Sequence, residues 1–223
     1  MVCSNYNLTK CVGRVFIIVP IVILYFLTQV DTVWSADRIK IVVLGNSLTA
    51  GYGLKKTDAF PVKLEIALGR KGNFVRVINA GVSGDTTAGG KSRLAWALSD
   101  NPQIVILELG ANDGLRGLDP IETRRNLDII LTKLKERGVV VLLAGMLAPP
   151  NLGKDYVREF NQIYPDLAKK HGVTLYEFFL EGVANEPSLN QADGIHPNPL
   201  GVNEIVDRIL PTVKALIDKI KEN

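Results

Sequence analysis

The sequence contains few of the side chains that bind metals or form crosslinks. Its 223 residues include two cysteines, Cys3 and Cys11, and two histidines, His171 and His196. Both cysteines precede the predicted folded domain, so we expect that domain to have no disulfide, thiol nucleophile or cysteine metal ligand. The two histidines are too far apart in sequence for a histidine-rich metal site, and we expect no metal. We interpret His171, at a predicted helix end, as a surface cap.

The sequence also lacks a strong excess of charge of one sign. Its formal net charge is +3 at pH 7, and no basic cluster interleaved with aromatic side chains occurs. Nucleic-acid-binding domains typically carry a basic patch or stripe on one face. We therefore expect no nucleic-acid partner.

Only one long apolar run is present, VFIIVPIVILYFLTQV at residues 15–30, preceded by Lys10 and Arg14. A secretory signal peptide has a positively charged start, then an apolar core, and then a processing site of small residues. An uncleaved anchor is the alternative, although a spanning helix needs roughly 20 apolar residues. We predict a signal peptide over residues 1–35, a single domain over residues 36–223, and export to the periplasm or the medium. Membrane contact is then expected only through an uncleaved N-terminal segment.

The remaining sequence alternates between strand-like and helix-like patterns. Apolar residues recur at helical spacing in 121–134 and in 202–209, and we expect Pro211 to interrupt the final helix. Three strand-like runs are nearly continuous in Val, Ile and Leu, as in parallel strands covered on both faces. The pattern predicts a doubly wound α/β domain with a five-stranded parallel sheet. The predicted strands are Ile39–Leu44, Phe74–Ala80, Gln103–Leu109, Val139–Gly145 and Val173–Phe178.

Polar segments follow three of these strands directly, and a fourth segment precedes the last helix. In a doubly wound sheet the site lies beyond the carboxyl ends of the strands, so we expect the first three segments to meet at one edge. The four segments are GNSL (45–48), GVSGDT (81–86), GANDG (110–114) and DGIHP (193–197).

The stretch SGDTTAGGKS (83–92) raises the alternative of a phosphate-binding loop. A P-loop needs a glycine, four further residues and then Gly-Lys-Ser or Gly-Lys-Thr. The residue five before Gly90 is Asp85, and counting from Gly84 gives a loop that is one residue too long. A carboxylate inside the loop would also repel the phosphate. We therefore disfavour a nucleotide-binding protein.

Ser47, His196 and Asp193 have the chemistry of a serine nucleophile with its base and an orienting carboxylate. A serine hydroxyl needs a base at neutral pH, and Asp193 can accept from Nδ1 of His196 and leave Nε2 for the serine. The alternative role of Ser47 is a helix N-cap. Asn112 is either a turn residue or an amide donor to an oxyanion, to which Gly84 can offer a backbone N–H.

In their order, GNSLTAG, SGDT, GANDGLRG and DGIHPN resemble the four blocks of the SGNH (GDSL) hydrolase family. The resemblance spans about residues 39–215. Within the family, the sequence is similar in particular to secreted bacterial arylesterases and to the branch of acyl-CoA thioesterases, lysophospholipases and proteases. It implies a flavodoxin-like fold and an enzyme without a cofactor. Asn46 departs from the family, whose first block usually reads Gly-Asp-Ser-Leu. The implied site residues are Ser47, Asp193 and His196 as a triad, and Ser47, Gly84 and Asn112 as an oxyanion hole.

The function that follows is hydrolysis of single-chain aryl esters, acyl thioesters or lysophospholipids through an acyl-enzyme on Ser47. Apolar residues beside the nucleophile and after the third and fourth strands are expected to bind the acyl chain, although ordinary packing explains about half of them. Two alternatives are open, a carbohydrate O-deacetylase of the same family and a flavodoxin-like module holding a flavin phosphate with GNSLTAGYG (45–53). The predicted substrate-binding residues are Leu48, Leu115, Met146, Leu147 and Leu152.

Overall fold

The computed structural model describes residue 1 and residues 38–222. Apart from its first residue, the predicted signal peptide lies outside the described residues, as do Cys3 and Cys11. Arg38–Asn223 is one compact unit. No helix in the described part of the chain is long and apolar enough to cross a membrane.

Five parallel strands form one sheet in the order β2-β1-β3-β4-β5. This order reverses direction between β1 and β3, which is the switch point where doubly wound sheets place their site. The predicted fold class is confirmed, and so are all five predicted strands, whose ends differ from the prediction by two residues or fewer. The strands are β1 (Ile39–Gly45), β2 (Val75–Gly81), β3 (Ile104–Glu108), β4 (Val140–Ala144) and β5 (Thr174–Tyr176).

Nine α-helices surround the sheet in the part of the chain that the structure describes. They are α1 (Ser47–Ala50), α2 (Phe60–Arg70), α3 (Thr87–Ser92), α4 (Leu94–Ala97), α5 (Ala111–Leu115), α6 (Pro120–Glu136), α7 (Lys154–Asn161), α8 (Ile163–His171) and α9 (Pro199–Glu222). Helices α2 and α9 pack together, whereas α6 packs against both α3 and α8. All five residues of β3 are buried, as expected for a strand covered on both faces.

The amphipathic pattern of α6 is confirmed in the structure. The helix begins at Pro120, and the carboxylate of the preceding Asp119 accepts from the backbone N–H of Ile121 at 2.8 Å. Proline at the first position and an aspartate cap are typical helix starts. Burial of each large aliphatic side chain contributes about 1.5–3 kcal/mol relative to exposure. The predicted apolar face is buried at every position, Leu127, Ile130, Leu131 and Leu134.

The prediction that Pro211 interrupts the last helix is wrong, because α9 continues from Pro199 to Glu222. Proline removes the N–H that would donate to the carbonyl of Asp207. Both Pro211 and Asp207 are exposed, so water can hydrate that carbonyl on the solvent side of the helix. The buried face on either side of the proline, with Ile209 and Val213, holds the helix on the domain.

The interpretation of His171 as a surface cap is wrong in one respect. His171 is the last residue of α8 and is followed by Gly172 in the left-handed conformation, as expected for a helix end. Its side chain is 7% exposed, however, and its Nε2 lies 2.6 Å from Oδ1 of Asp128 on α6. Hydrogen bonds from Lys170 and then His171 lower the pKa of Asp128. His171 therefore joins α8 to α6.

Candidate active site

Ser47 lies at the switch point of the sheet, on a short turn that joins β1 to α1. The strand ends at Gly45, and Ser47 is the first residue of α1. The side-chain oxygen of Asn46 accepts from the backbone N–H of Leu48 at 2.9 Å and thereby caps the helix. The N-cap is therefore Asn46, which leaves the alternative role of Ser47 unsupported.

A buried carboxylate lies beneath this turn. Glu108, the last residue of β3, is completely buried and accepts at Oε2 from the hydroxyl of Thr49 at 2.6 Å and from the backbone N–H of Asn46 at 3.2 Å. Its Oε1 accepts from the amide of Asn46 at 2.8 Å. Burial raises the pKa of Glu108 to about 7, although the hydrogen bonds to its carboxylate act in the opposite direction.

This network explains what Asn46 does in place of the usual aspartate. Its amide oxygen caps α1, and its amide NH₂ donates to Glu108. An aspartate would keep the cap but would place a second carboxylate oxygen against Glu108. Two carboxyl groups at that separation cannot both ionise without repulsion, so asparagine supplies the donor that a protonated aspartate would otherwise have to supply.

Glu108 should make the stability of the domain depend on pH near neutrality. Its folded pKa of about 7 exceeds the ordinary 4.5, so the folded state binds more protons between these values. The contribution of Glu108 to the free energy of unfolding should therefore decrease as pH rises through this window. In Asn46→Asp two facing carboxyl groups share a proton, and we expect a steeper decrease. Thermal midpoints measured from about pH 5 to pH 8 check this.

Asn203→Asp is the matched control, because it adds the same charge at an exposed position on α9. It should keep the pH dependence of the unaltered protein. Equal slopes for Asn46→Asp and Asn203→Asp would contradict the assignment of a raised pKa to Glu108.

The structure brings the three predicted triad residues into one hydrogen-bonded chain. Nε2 of His196 lies 3.0 Å from Oγ of Ser47, and its Nδ1 lies 2.7 Å from Oδ2 of Asp193. The other oxygen of Asp193 accepts from the backbone N–H groups of Ile195 and His196, both at 3.0 Å. The hydrogen bond from the His196 side chain, followed by these backbone bonds, lowers the pKa of Asp193 to about 2. The carboxylate therefore stays ionised throughout the neutral range.

Two further hydrogen bonds hold the predicted oxyanion-hole segments together. The amide NH₂ of Asn112, on α5, donates to the backbone carbonyl of Asp85 at 2.8 Å. The guanidinium of Arg116 donates to the carbonyl of Gly84, also at 2.8 Å, and Gly84 has a left-handed φ of 83°. An asparagine amide has two N–H bonds, so one is fixed on Asp85 and a second can donate to a ligand. Asn112 lines the cavity described below.

Arg93, which follows the glycine-rich stretch 83–92, ties that stretch to two strand ends. Arg93 pairs with Asp85 at 2.5 Å and donates to the carbonyls of Ala80 and Gly45, both at 2.8 Å. It thereby connects the ends of β1 and β2. Lys91 donates to Asn126 on α6. The sequence shows no signal for this role of Arg93, because its partners come from three separate segments.

Asp113, the neighbour of Asn112, was also not identified from the sequence as a residue that supports the site. It is 2% exposed and accepts from the backbone N–H and the hydroxyl of Thr87, at 2.9 and 2.6 Å. Burial raises its pKa, against the effect of these hydrogen bonds. Asp113 thereby ties α5, which carries Asn112, to the start of α3, which follows Gly84 and Asp85.

We predict that Asn112 donates to an oxyanion. Asn112→Ala should then lower kcat by about 10²–10³ and change KM little, because a hydrogen bond to an oxyanion strengthens as charge develops. Asn112→Asp should be at least as damaging, since a carboxylate oxygen would face the oxyanion. Steady-state kinetics on a p-nitrophenyl ester measure both constants, with Asn203→Ala as an exposed control. A rise in KM at unchanged kcat would instead make Asn112 a substrate-binding residue.

An apolar cavity of about 420 Å³ opens beside Ser47, Asn112 and His196. Four of the predicted substrate-binding residues line this cavity, but Leu152 does not. Leu152 ends the 3-10 turn Pro150–Leu152, and its side chain lies close to Gly117. The sequence reasoning missed Phe178 and Leu180, although they follow β5 at the same edge of the sheet. The apolar lining includes Leu48, Ala111, Leu115, Met146, Leu147, Phe178, Leu180 and Ile195.

Within residue 1 and residues 38–222, no three His, Cys, Asp or Glu side chains form a group that could hold a metal ion. The residues with polar side chains that line the cavity carry a hydroxyl, an imidazole and amides, and they are Ser47, His196, Asn46, Asn112, Asn185 and Asn190. This set can supply a nucleophile, a base and neutral hydrogen-bond donors.

Comparison with known proteins matches this chain to esterases, thioesterases and related acylhydrolases. The family model of the GDSL-like Lipase/Acylhydrolase family matches residues 43–203. An arylesterase of Vibrio mimicus is 44% identical over 161 residues, which are 72% of this chain and 80% of the relative. The thioesterase 1/protease 1/lysophospholipase L1 of Escherichia coli K12 is 38% identical over 179 residues, or 80% of this chain and 85% of the relative. Among solved structures, AlinE4, an SGNH-hydrolase family esterase, is 50% identical with a TM-score of 0.69, covering 81% of this chain and 97% of its own.

Proposed function

The chain belongs to the GDSL-like lipase/acylhydrolase family and is a carboxylic ester hydrolase, and on that premise we propose that Ser47, His196 and Asp193 are its catalytic triad. The predicted resemblance to this family is thereby confirmed. The observation that carries the proposed triad is the chain of two contacts, 3.0 Å from Ser47 to His196 and 2.7 Å from His196 to Asp193.

In the proposed reaction, Oγ of Ser47 attacks the acyl carbonyl while its proton passes to Nε2 of His196. The tetrahedral intermediate collapses to an acyl-enzyme, and the leaving alcohol or thiol takes the proton from His196. Water then attacks the acyl-enzyme by the same route and releases the acid and free Ser47. Asp193 remains ionised, accepts from Nδ1 and stabilises the imidazolium.

The proposed oxyanion hole consists of the Asn112 amide and the backbone N–H groups of Ser47 and Gly84. Support comes from the fixed orientation of the Asn112 amide against Asp85 and from the bond between Arg116 and Gly84. Donors held in this way need no reorganisation as charge develops on the carbonyl oxygen.

We propose esters of a single, medium-length acyl chain as substrates, with an aryl alcohol, a thiol or a lysophospholipid as the leaving portion. The predominantly apolar lining of the cavity beside Ser47 supports this choice. The names of the relatives from Vibrio mimicus and Escherichia coli support the same leaving groups. A carbohydrate O-deacetylase, by contrast, needs only enough acyl space for an acetyl group.

The acyl-chain dependence of kcat/KM tests this proposal. Each methylene that enters the apolar cavity contributes roughly 0.8 kcal/mol, or about fourfold in kcat/KM, until the cavity is full. We therefore expect kcat/KM for p-nitrophenyl esters to rise from acetyl to a medium chain and then to level off or fall by dodecanoyl. A maximum at acetyl, together with fast deacetylation of an acetylated sugar, would favour the carbohydrate O-deacetylase.

A further inference from the structure

The segment that carries His196 has no strand to hold it beside Ser47. Ser47 follows β1 directly, whereas His196 lies in a connection between the 3-10 turn Pro187–Leu189 and α9, 149 positions away in sequence. A 3.0 Å contact between side chains on two such segments requires a link other than the contact itself. The hydrogen bonds around Gln191 provide one.

Gln191 is bonded to the histidine segment at several points. Its backbone N–H donates to the carbonyl of His196 at 2.8 Å, and its own carbonyl accepts from the N–H of Gly194 at 3.0 Å. Its side-chain amide also donates to the carbonyl of Pro197 at 3.0 Å. An isolated antiparallel bridge between Asn190 and Pro197 closes the base of this loop.

The same amide reaches across to the nucleophile segment. Nε2 of Gln191 donates to the carbonyl of Tyr52 at 2.8 Å, and the N–H of Tyr52 donates to the carbonyl of Ser47 at 3.1 Å. The Tyr52 ring lies against the His196 ring, with centroids 4.7 Å apart and planes inclined by 37°. A chain of hydrogen bonds through Tyr52 and Gln191 thus connects the segments of Ser47 and His196, and this chain does not include the reacting atoms.

Gly53 leaves the space that this amide occupies. A Cβ on Gly53 would lie 2.1 Å from Oε1 of Gln191, and Gly53 has a left-handed φ of 72°. Side chains other than glycine are disfavoured at such a φ. The turn after α1 is therefore shaped to receive the Gln191 amide.

We propose that Gln191 is a positioning residue that sets the distance between Ser47 and His196 by joining their two segments through Tyr52. This inference rests on the proposed function of Ser47 and His196. Both N–H bonds of the amide are used, one on each segment, so a side chain of the same length without donors loses both links at once. Gln191 is not among the residues that line the cavity, and its hydrogen bonds to His196 and Gly194 involve only their backbone atoms. Its loss should therefore affect chemistry more than substrate binding.

Gln191→Met tests this role, because methionine has a similar length and no N–H donors. We expect kcat on p-nitrophenyl butyrate to fall by about 10- to 100-fold, since a misplacement of about 1 Å can cost a factor of 10². KM should stay within about twofold, and the rate of fluorophosphonate labelling should fall in parallel with kcat. Gly53→Ala should give the same pattern, because its methyl group displaces the amide.

A matched control separates positioning from general effects. Gln162→Met makes the same replacement at an exposed glutamine, whose amide bonds to Asp166, and should leave kcat unchanged.

An unchanged kcat in folded Gln191→Met would overturn the proposed role of Gln191. A fall in kcat accompanied by a drop of about 10 °C or more in thermal midpoint would also overturn it, since Gln191 would then act on the stability of the domain. Neither result bears on Ser47 itself. Failure of the unaltered enzyme to be labelled at Ser47 would instead overturn the proposed function.

Discussion

Ser47→Ala should reduce kcat for ester hydrolysis by about 10⁶, the loss seen when a triad nucleophile is removed. Alanine keeps the backbone of α1, and Asn46 still caps the helix. The hydroxyl loses its hydrogen bond to His196 at 3.0 Å and a longer one to Oδ1 of Asn46 at 3.5 Å. The thermal midpoint should consequently remain close to that of the unaltered enzyme. Initial rates with p-nitrophenyl butyrate and a thermal melt measure the two quantities.

Ser99→Ala is the matched control, because Ser99 is exposed and lies outside the cavity. It should hydrolyse the ester at the unaltered rate. A Ser47→Ala enzyme that retains more than about a hundredth of the activity would contradict the assignment of the nucleophile.

Asp193→Asn should lower kcat by about 10⁴ and leave a measurable residual activity. The carboxylate of Asp193 accepts from Nδ1 of His196 and thereby leaves Nε2 free to take the proton of Ser47. An asparagine NH₂ at this position would donate to Nδ1 and place the imidazole proton on Nε2, where it blocks the attack. Steady-state kinetics at neutral pH give the effect on kcat.

Asp207→Asn removes the same charge from an exposed position on α9 and should not change kcat. A loss smaller than about tenfold in Asp193→Asn would show that Asp193 does not fix the orientation of His196. An equal loss in both variants would point to an effect of net charge.

The sheet and the position of Ser47 at its carboxyl edge are predictable from the sequence because their signals are local. Buried parallel strands such as Ile104–Glu108 are almost continuous apolar runs, and polar residues follow them at the site edge. Phe178 and Leu180 obey the same rule after β5 and could have been found by it. Leu152 obeys the rule less closely, because it lies eight residues beyond the end of β4.

The burial of Glu108 is predictable from the sequence, but its hydrogen-bond partners are not. A single acidic residue within the apolar run QIVILEL signals a buried carboxylate with hydrogen-bond partners, because an unpaired buried charge is costly. Its partners Asn46 and Thr49 are 62 and 59 positions away, on the turn after β1. Their identity depends on the strand register, which the composition of neither segment specifies.

Gln191 and Pro211 show why the remaining features are not predictable. The bond from Gln191 to Tyr52 spans 139 positions and depends on how the histidine segment folds back on itself. The proline rule fails at Pro211 because its effect depends on which side of the helix faces water. Both outcomes are set by tertiary packing, whereas the rules used for prediction describe neighbours in the chain.

Labelling of the active enzyme with a fluorophosphonate, followed by mass spectrometry of its peptides, tests the proposed triad most directly. The reagent reacts fastest with a nucleophile that has an activating base beside it. We expect one modified peptide, with the phosphonyl group on Ser47, and loss of activity in proportion to labelling. A label on any other residue, or complete inhibition without a label on Ser47, would contradict the assignment.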